Sequence, residues 1–238
     1  MPSFEAVRRD WTTLGEQDPL WAVYVAPGTR GGQWDVEEFL ALGRSDVAEA
    51  MAWLDRLGLP TRFGAVLDFG CGAGRLSQAL AAHADTVVGV DVSAPMLAVA
   101  ADLDRTGRCR FVRNDAPDLR LFDDAEFDLV YSELVLQHLP APVIDGYLGE
   151  FMRVLRPGGL AVLQCTVSPL WTAKGAIWRF VPGPLVRLGQ RHVLGYPAPM
   201  QMTAYPTRRL AAVVRRHGGE VAGHHIRDDQ AMHWRTAR

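Results

Sequence analysis

Val66-Leu67-Asp68-Phe69-Gly70-Cys71-Gly72-Ala73-Gly74-Arg75 decides the fold. An apolar run ends in an acid, and three glycines follow at alternate positions. An apolar spacing through Leu76 and Leu80 to His83 begins directly afterwards. That order reads as a strand, a tight turn and the start of a helix. Glycine reaches backbone angles closed to other residues and lets a ligand lie against the main chain. A helix start offers N–H groups with no partner inside the helix. The stretch therefore reads as a nucleotide-cofactor loop.

The glycine spacing narrows the cofactor. A dinucleotide fold needs G-x-G-x-x-G/A, whose third small residue seats the helix on the strand. Here that position holds Arg75. Asp68 would repel a pyrophosphate, whereas it suits a ligand that carries an ammonium group. Downstream, Thr86-Val87-Val88-Gly89-Val90-Asp91 is a second apolar strand ending in an acid. Asp91 lies 21 residues after Gly70, the distance expected of a carboxylate that accepts ribose hydroxyls. Val92-Ser93-Ala94-Pro95-Met96-Leu97 starts a helix, with Ser93 as its N-cap and Pro95 in its first turn. Cys109 to Arg113 is a third strand, followed by Asn114-Asp115-Ala116, and Phe127 to Ser132 is a fourth. Leu155-Arg156-Pro157-Gly158-Gly159 closes a helix, and Leu160 to Gln164 is a fifth strand.

These pieces, D-F-G-C-G-A-G-R, G-V-D-V-S-A-P-M-L, N-D-A, F-D-L-V-Y-S and L-R-P-G-G, resemble the class I S-adenosylmethionine-dependent methyltransferases. The resemblance is close over residues 62–167 and looser over 201–238. It implies an α/β, Rossmann-like, doubly wound and mostly parallel sheet with an antiparallel final strand. It implies S-adenosylmethionine as cofactor and S-adenosylhomocysteine as product. Asp68 would then face the methionyl ammonium, Gly70, Gly72 and Gly74 would admit the cofactor, and Asp91 would bridge the ribose hydroxyls. Val92 and Met96 would flank the adenine, Asp115 with the Ala116 N–H would read its edge, and Ser132 joins the same set. Beyond the fourth strand, Glu133, Gln137 and His138 are the polar residues expected beside the donor methyl. Glu133 and His138 are the catalytic candidates, although a histidine before Leu-Pro also serves to order this loop. Arg75 pairs either with Asp68 or with another core acid.

The apolar share of 48% and charged share of 22% are those of an ordinary globular chain. No apolar run approaches the roughly 20 residues of a membrane span, and the N-terminus lacks the regions of a signal peptide. Cys71, Cys109 and Cys165 fit no metal spacing, so no metal is expected, and they suggest a reducing cytoplasm. Charge is unevenly spread: residues 1–167 carry 14 arginines against 24 acids, and residues 168–238 carry 11 basic groups against 3 acids. The basic third either attracts an acidic partner or pairs with the acidic part of the same chain.

Alternating strands and helices make a single domain with appendages. Residues 1–61 form an aromatic N-terminal helical cap with a helix from Ser45 to Leu57. Residues 62–167 form the core. Residues 168–200 form a substrate-covering insert rich in proline and aromatics, which leaves the sheet at the ligand-binding end. Residues 201–238 add a helix from Pro206 to His217, a strand from Glu220 to Arg227, a turn at Asp228-Asp229 and a further strand. His192 and Tyr196 are lesser candidates for the site. His224 and His225 would point to opposite faces of their strand.

The expected activity is methyl transfer to an O, N or C acceptor on a small molecule, in bacterial secondary metabolism. No Asn/Asp-Pro-Pro-Tyr/Phe element follows the fourth strand, and no Pro-Cys marks the cytosine-carbon enzymes. Three alternatives stay open: a cyclase or decarboxylase that uses the cofactor as scaffold, a non-catalytic cofactor-binding protein, and an RNA methyltransferase. A small-molecule acceptor is the expected partner, nucleic acid is disfavoured, no membrane is involved, and a homodimer is left open.

Overall fold

The structure is a computed structural model that describes residues 3–166, 181, 183–227 and 232–237. Three helices come first: α1 (Phe4–Gln17), α2 (Pro19–Val23) and α3 (Val36–Arg56). The core follows as β1 (Phe63–Phe69), α4 (Arg75–Leu80), β2 (Ala84–Asp91), α5 (Ala94–Leu103), β3 (Cys109–Arg113) and β4 (Phe127–Ser132). A single 3-10 turn (Leu136–His138) leads into α6 (Ala141–Val154) and β5 (Leu155–Thr166). The chain ends with α7 (Gly183–His192), α8 (Thr207–Arg216), β6 (Val221–Arg227) and β7 (Met232–Ala237).

The seven strands lie in the order β3-β2-β1-β4-β5-β7-β6. The first five are parallel, and β7 runs antiparallel between β5 and β6. The fold is Rossmann-like, as the motif order implies, and the final strand β7 is the antiparallel one, β6 running in the direction of the first five. Helices cover both faces, so the inner strands are apolar throughout. Alternation divides β1 between two cores. Leu67 and Phe69 pack with Tyr147, Leu148 and Phe151 of α6 and Val214 of α8. Val66 packs with Trp53 and Leu54 of α3 and Leu76 and Leu80 of α4.

Three local expectations are corrected. α3 begins at Val36, nine residues before Ser45, because Asp35 caps it by accepting the Glu38 N–H at 2.9 Å. Gly43, which interrupts the helical pattern, sits where a Cβ would strike the Arg75 backbone. α6 stops at Val154, and Leu155 already pairs with Phe127, so Arg156-Pro157-Gly158-Gly159 is an irregular entry to β5. Ser93 holds the N-cap position of α5, but its hydroxyl makes no capping bond. The expected turn at Asp228-Asp229 lies outside the described residues. Among those residues, no helix is long and apolar enough to cross a membrane.

Candidate active site

In an open parallel sheet a ligand binds beyond the carboxyl ends of the strands where their order reverses. Here that point lies between β1 and β4. β1 ends in the glycine turn, where Gly70, Gly72 and Gly74 have φ of 76°, 52° and 78°, values that favour glycine. The Gly70 and Cys71 N–H groups donate to the Val90 carbonyl at 2.8 and 3.1 Å, which folds the turn over the end of β2. A Cβ on Gly70 would meet Val135, and one on Gly72 would meet Val23.

The crevice beside this turn has an empty volume of about 730 Å³. Its floor holds Gly70, Gly72, Asp91, Val92, Met96 and Asn114, and the loop after β4 adds Glu133, Leu134 and His138. Phe4, Val7 and Trp11 of α1 and Val23 of α2 complete the walls. The aromatic N-terminus therefore does line the crevice as well as packing. α1 lies close against α5: a Cβ on Gly15 would come 2.5 Å from Ser93 Oγ and 2.8 Å from Met96 Cγ.

Asp91 Oδ2 accepts the Gly72 N–H at 3.0 Å, and Oδ1 accepts the Ser93 N–H at 2.8 Å. Burial raises its pKa despite those donors. Asp68 sits below the turn. It accepts from Ser77 Oγ at 2.6 Å, and its Oδ1 is buried without a partner. Desolvation pushes its pKa up to about 7, against the opposing Ser77 bond and Arg75 charge. Arg75, 2% exposed, pairs with Asp46 of α3, not with Asp68.

Glu133 is buried and accepts the Tyr131 hydroxyl at 2.8 Å. Leu134 takes a left-handed φ of 63°, and its N–H donates to Gln164 Oε1 at 2.5 Å. Such backbone angles in residues other than glycine collect at functional sites. His138 is buried, with Nδ1 at 2.6 Å from the Gln201 carbonyl and Nε2 at 3.4 Å from Gln137 Nε2. The carbonyl can only accept, so Nδ1 carries the proton and Nε2 is the acceptor. Burial lowers the His138 pKa to about 4, and the imidazole is neutral at ordinary pH.

The structure gathers Gly70, Gly72, Asp91, Val92, Met96, Glu133 and His138 around one crevice. It keeps other expected residues out of the lining. Ser132 is buried and donates to the Phe69 carbonyl at 3.0 Å. Gly74 packs against Ala100 and Phe111. Asp115 is on the surface, 3.5 Å from Arg8 and 3.3 Å from Arg113. The Ala116 N–H donates to Asn114 Oδ1 at 3.2 Å. Asn114, not Asp115, faces the crevice: its N–H extends the β2–β3 ladder by donating to the Asp91 carbonyl at 2.9 Å. Alternation then turns Asp115 away. Recognising that β3 extends one residue beyond Arg113 would have identified it.

A second chamber, open to solvent with an empty volume of about 830 Å³, adjoins the first and shares Val23, Leu134 and His138 with it. Its further walls are Ala22, Tyr24 and Val25 near α2, Gln137, and Gln190, Tyr196, Met200 and Met202 from the insert and the segment after it. Tyr196 is thus at the site, whereas His192 is exposed.

A family model described as a methyltransferase domain matches residues 66–159. A Mycobacterium ulcerans protein named an uncharacterized methyltransferase is 32% identical, over 70% of this chain and 66% of its own. A demethylmenaquinone methyltransferase of Clavibacter sepedonicus is 38% identical, over 52% of this chain and 45% of its own. The chain thus spans just under two thirds and about half of the lengths of these curated relatives. The crystal structure of magnesium protoporphyrin IX methyltransferase from Synechocystis PCC 6803, with S-adenosylhomocysteine bound, aligns at TM-score 0.67 and 19% identity. That alignment covers 99% of this chain and 98% of the other.

Proposed function

Because the chain belongs to the class I S-adenosylmethionine-dependent methyltransferases, we propose that it moves a methyl group from S-adenosylmethionine to an O, N or C acceptor on a small molecule. We place that activity in bacterial secondary metabolism, in the cytoplasm. The observation that carries the reading is the crevice at the strand switch, where a glycine backbone, Asp91 and Glu133 share one wall system. The residues present fit the family's cofactor. Asp68 has a buried carboxylate oxygen in need of a donor, and the bare Gly70 and Gly72 leave a backbone surface that a ligand can approach.

Asp68 would hold the ammonium end, directly or through water, Asp91 the ribose, and Val92 and Met96 the adenine faces. Asp115 is reassigned to the surface, and Asn114 takes its place on the crevice wall. Bound there, the cofactor supplies a methyl carbon on a sulfonium, which an acceptor lone pair can take as the carbon–sulfur pair leaves to a neutral thioether. The chain's task is then to align the reactants and exclude water. His138 stands where the two chambers meet. With its pKa near 4 it is a weak base, so its Nε2 is assigned to orienting the acceptor's proton. Glu133 contributes negative charge beside the donor.

The test is purified protein with S-adenosylmethionine and a panel of small acceptors. Equal amounts of S-adenosylhomocysteine and of a product heavier by one methyl group support the reading. Cofactor turnover that yields a cyclised or decarboxylated product would favour the scaffold alternative, and binding without turnover the non-catalytic one.

A further inference from the structure

We propose that the exposed face of α7, with the turn that follows it, is a docking surface for an anionic lipid bilayer. Leu185 and Leu188 of α7 are 57% and 54% exposed, and Val193 and Leu194 just beyond it are 82% and 53% exposed. Helical spacing puts Leu185, Leu188 and His192 on one side, while Val186 and Gln190 are buried on the other. The Val193 and Leu194 N–H groups both donate to the Gly189 carbonyl, at 2.9 and 3.1 Å, which fixes the backbone carrying these two side chains at the helix end. The four apolar residues lie within about 14 Å along the helix direction. Large apolar side chains clustered in this way mark an interaction site, whereas single exposed ones do not.

Charge selects the partner. Between Phe151 and Gly219 the sequence has no acidic residue. Arg191 and His192 are exposed beside Leu188. Arg30, from the loop after α2, is exposed and donates to the Leu194 carbonyl at 2.8 Å, which sets another cation at the end of the patch. From α1 come the exposed Arg9 and the half-buried Asp10, and Asp10 lines a small pocket with Arg187. Burial raises the Asp10 pKa against the pull of Arg9, Arg191 and Arg187, so this acid is outnumbered by the cations around it. Apolar side chains ringed by arginine suit a helix that lies in a membrane interface. The apolar groups enter the acyl boundary and the cations meet lipid phosphates. A second copy docking by the same face would set arginine against arginine. The absence of a spanning run, from which no membrane is expected, does not bear on adsorption. Adsorption here does not depend on the methyltransferase activity.

The test is vesicle co-sedimentation of the full chain. One set of vesicles is phosphatidylcholine, and the other is phosphatidylcholine with phosphatidylglycerol at about two to one. The chain is expected to bind the anionic vesicles at least about tenfold more tightly than the neutral ones, and to be released by salt. The Leu188→Ser/Val193→Ser double variant changes two exposed side chains. It is expected to keep its circular dichroism and to lose about tenfold in affinity for the anionic vesicles. Arg191→Gln is expected to lose about fivefold for the anionic vesicles and nothing for the neutral ones. The proposal is overturned if the chain binds neither kind of vesicle or binds both equally. It is equally overturned if either variant binds the anionic vesicles as well as the native protein does. Failure to bind, together with a dimer in sedimentation velocity that the double variant abolishes, would assign the face to a second copy instead. Should the double variant not fold, Arg191→Gln and the comparison of the two vesicle sets decide alone.

Discussion

Ionised, the buried Asp68 costs the fold stability, a cost that its proposed role at the ammonium end of the cofactor accounts for. Its carboxyl titrates near 7 in the folded protein against an ordinary 3.8. The folded state therefore holds this proton more firmly than the unfolded chain does. Stability from this group is present below about pH 4 and is lost as pH rises towards about 7. A cationic ligand reverses the sign, because it favours the ionised carboxylate. The Asp68→Asn variant without ligand should melt higher than the native protein near pH 8, and its gain in melting temperature with S-adenosylhomocysteine should be smaller. Equal gains in the two proteins would remove Asp68 from the cofactor set.

His138 has the opposite linkage. Its pKa is lowered from 6.5 to about 4, so it contributes stability above about pH 6.5 that is lost as pH falls towards about 4. The rate of methyl transfer should show no histidine inflection between about pH 5 and 8, and His138→Ala should lower kcat/KM for the acceptor about tenfold or more. An inflection near 6.5 that disappears in the variant would restore His138 as a titrating base. Asp68 and Asp91 stand out in the sequence because each follows an apolar run at or next to the end of its strand, one of them at a telling distance from the glycines. Asn114 does not, because choosing between it and Asp115 required the strand register.

At the scale of the element, a buried ion pair ties the cap to the core. Asp46 of α3 faces Arg75 at the start of α4, and the two side chains are 8% and 2% exposed. Removing one partner leaves a charge buried without its counter-ion. Asp46→Ala should cost about 3–5 kcal/mol in urea unfolding, and a loss below about 1 kcal/mol would mean that water reaches the Arg75 guanidinium. Contact between α1 and α5 depends on Gly15. Gly15→Leu should push α1 from Met96 and weaken S-adenosylhomocysteine by about tenfold, with the sheet's circular dichroism unchanged. The core elements were legible because strands and helices alternate with clear boundaries. The first part of α3 was hidden by Gly43, whose place is set by the Arg75 backbone 32 residues further along the chain. A contact at that separation leaves no periodic mark.

The whole molecule is two adjoining chambers under a roof drawn from distant parts of the chain. Arg30 reaches Leu194 across 164 residues, so the composition of residues 168–200 pointed to a wall but not to what holds it. The acidic and basic parts of the chain meet at Arg209–Asp145, 2.5 Å apart, and His225 Nε2 lies 3.3 Å from Glu49. At least part of the charge asymmetry is therefore paired internally. Because α1 and α2 line the crevice proposed for the cofactor, S-adenosylhomocysteine should slow amide exchange in residues 4–24 as well as in the glycine turn. Slowing confined to the turn would show that the cap takes no part in binding.

The most direct test is calorimetry of the purified protein with S-adenosylhomocysteine and with NAD, repeated on Asp91→Ala. The account predicts micromolar binding of S-adenosylhomocysteine, none of NAD, and a loss on the order of a hundredfold in the variant, equivalent to about 2.7 kcal/mol. Binding of NAD, or undiminished S-adenosylhomocysteine affinity in Asp91→Ala, would contradict it.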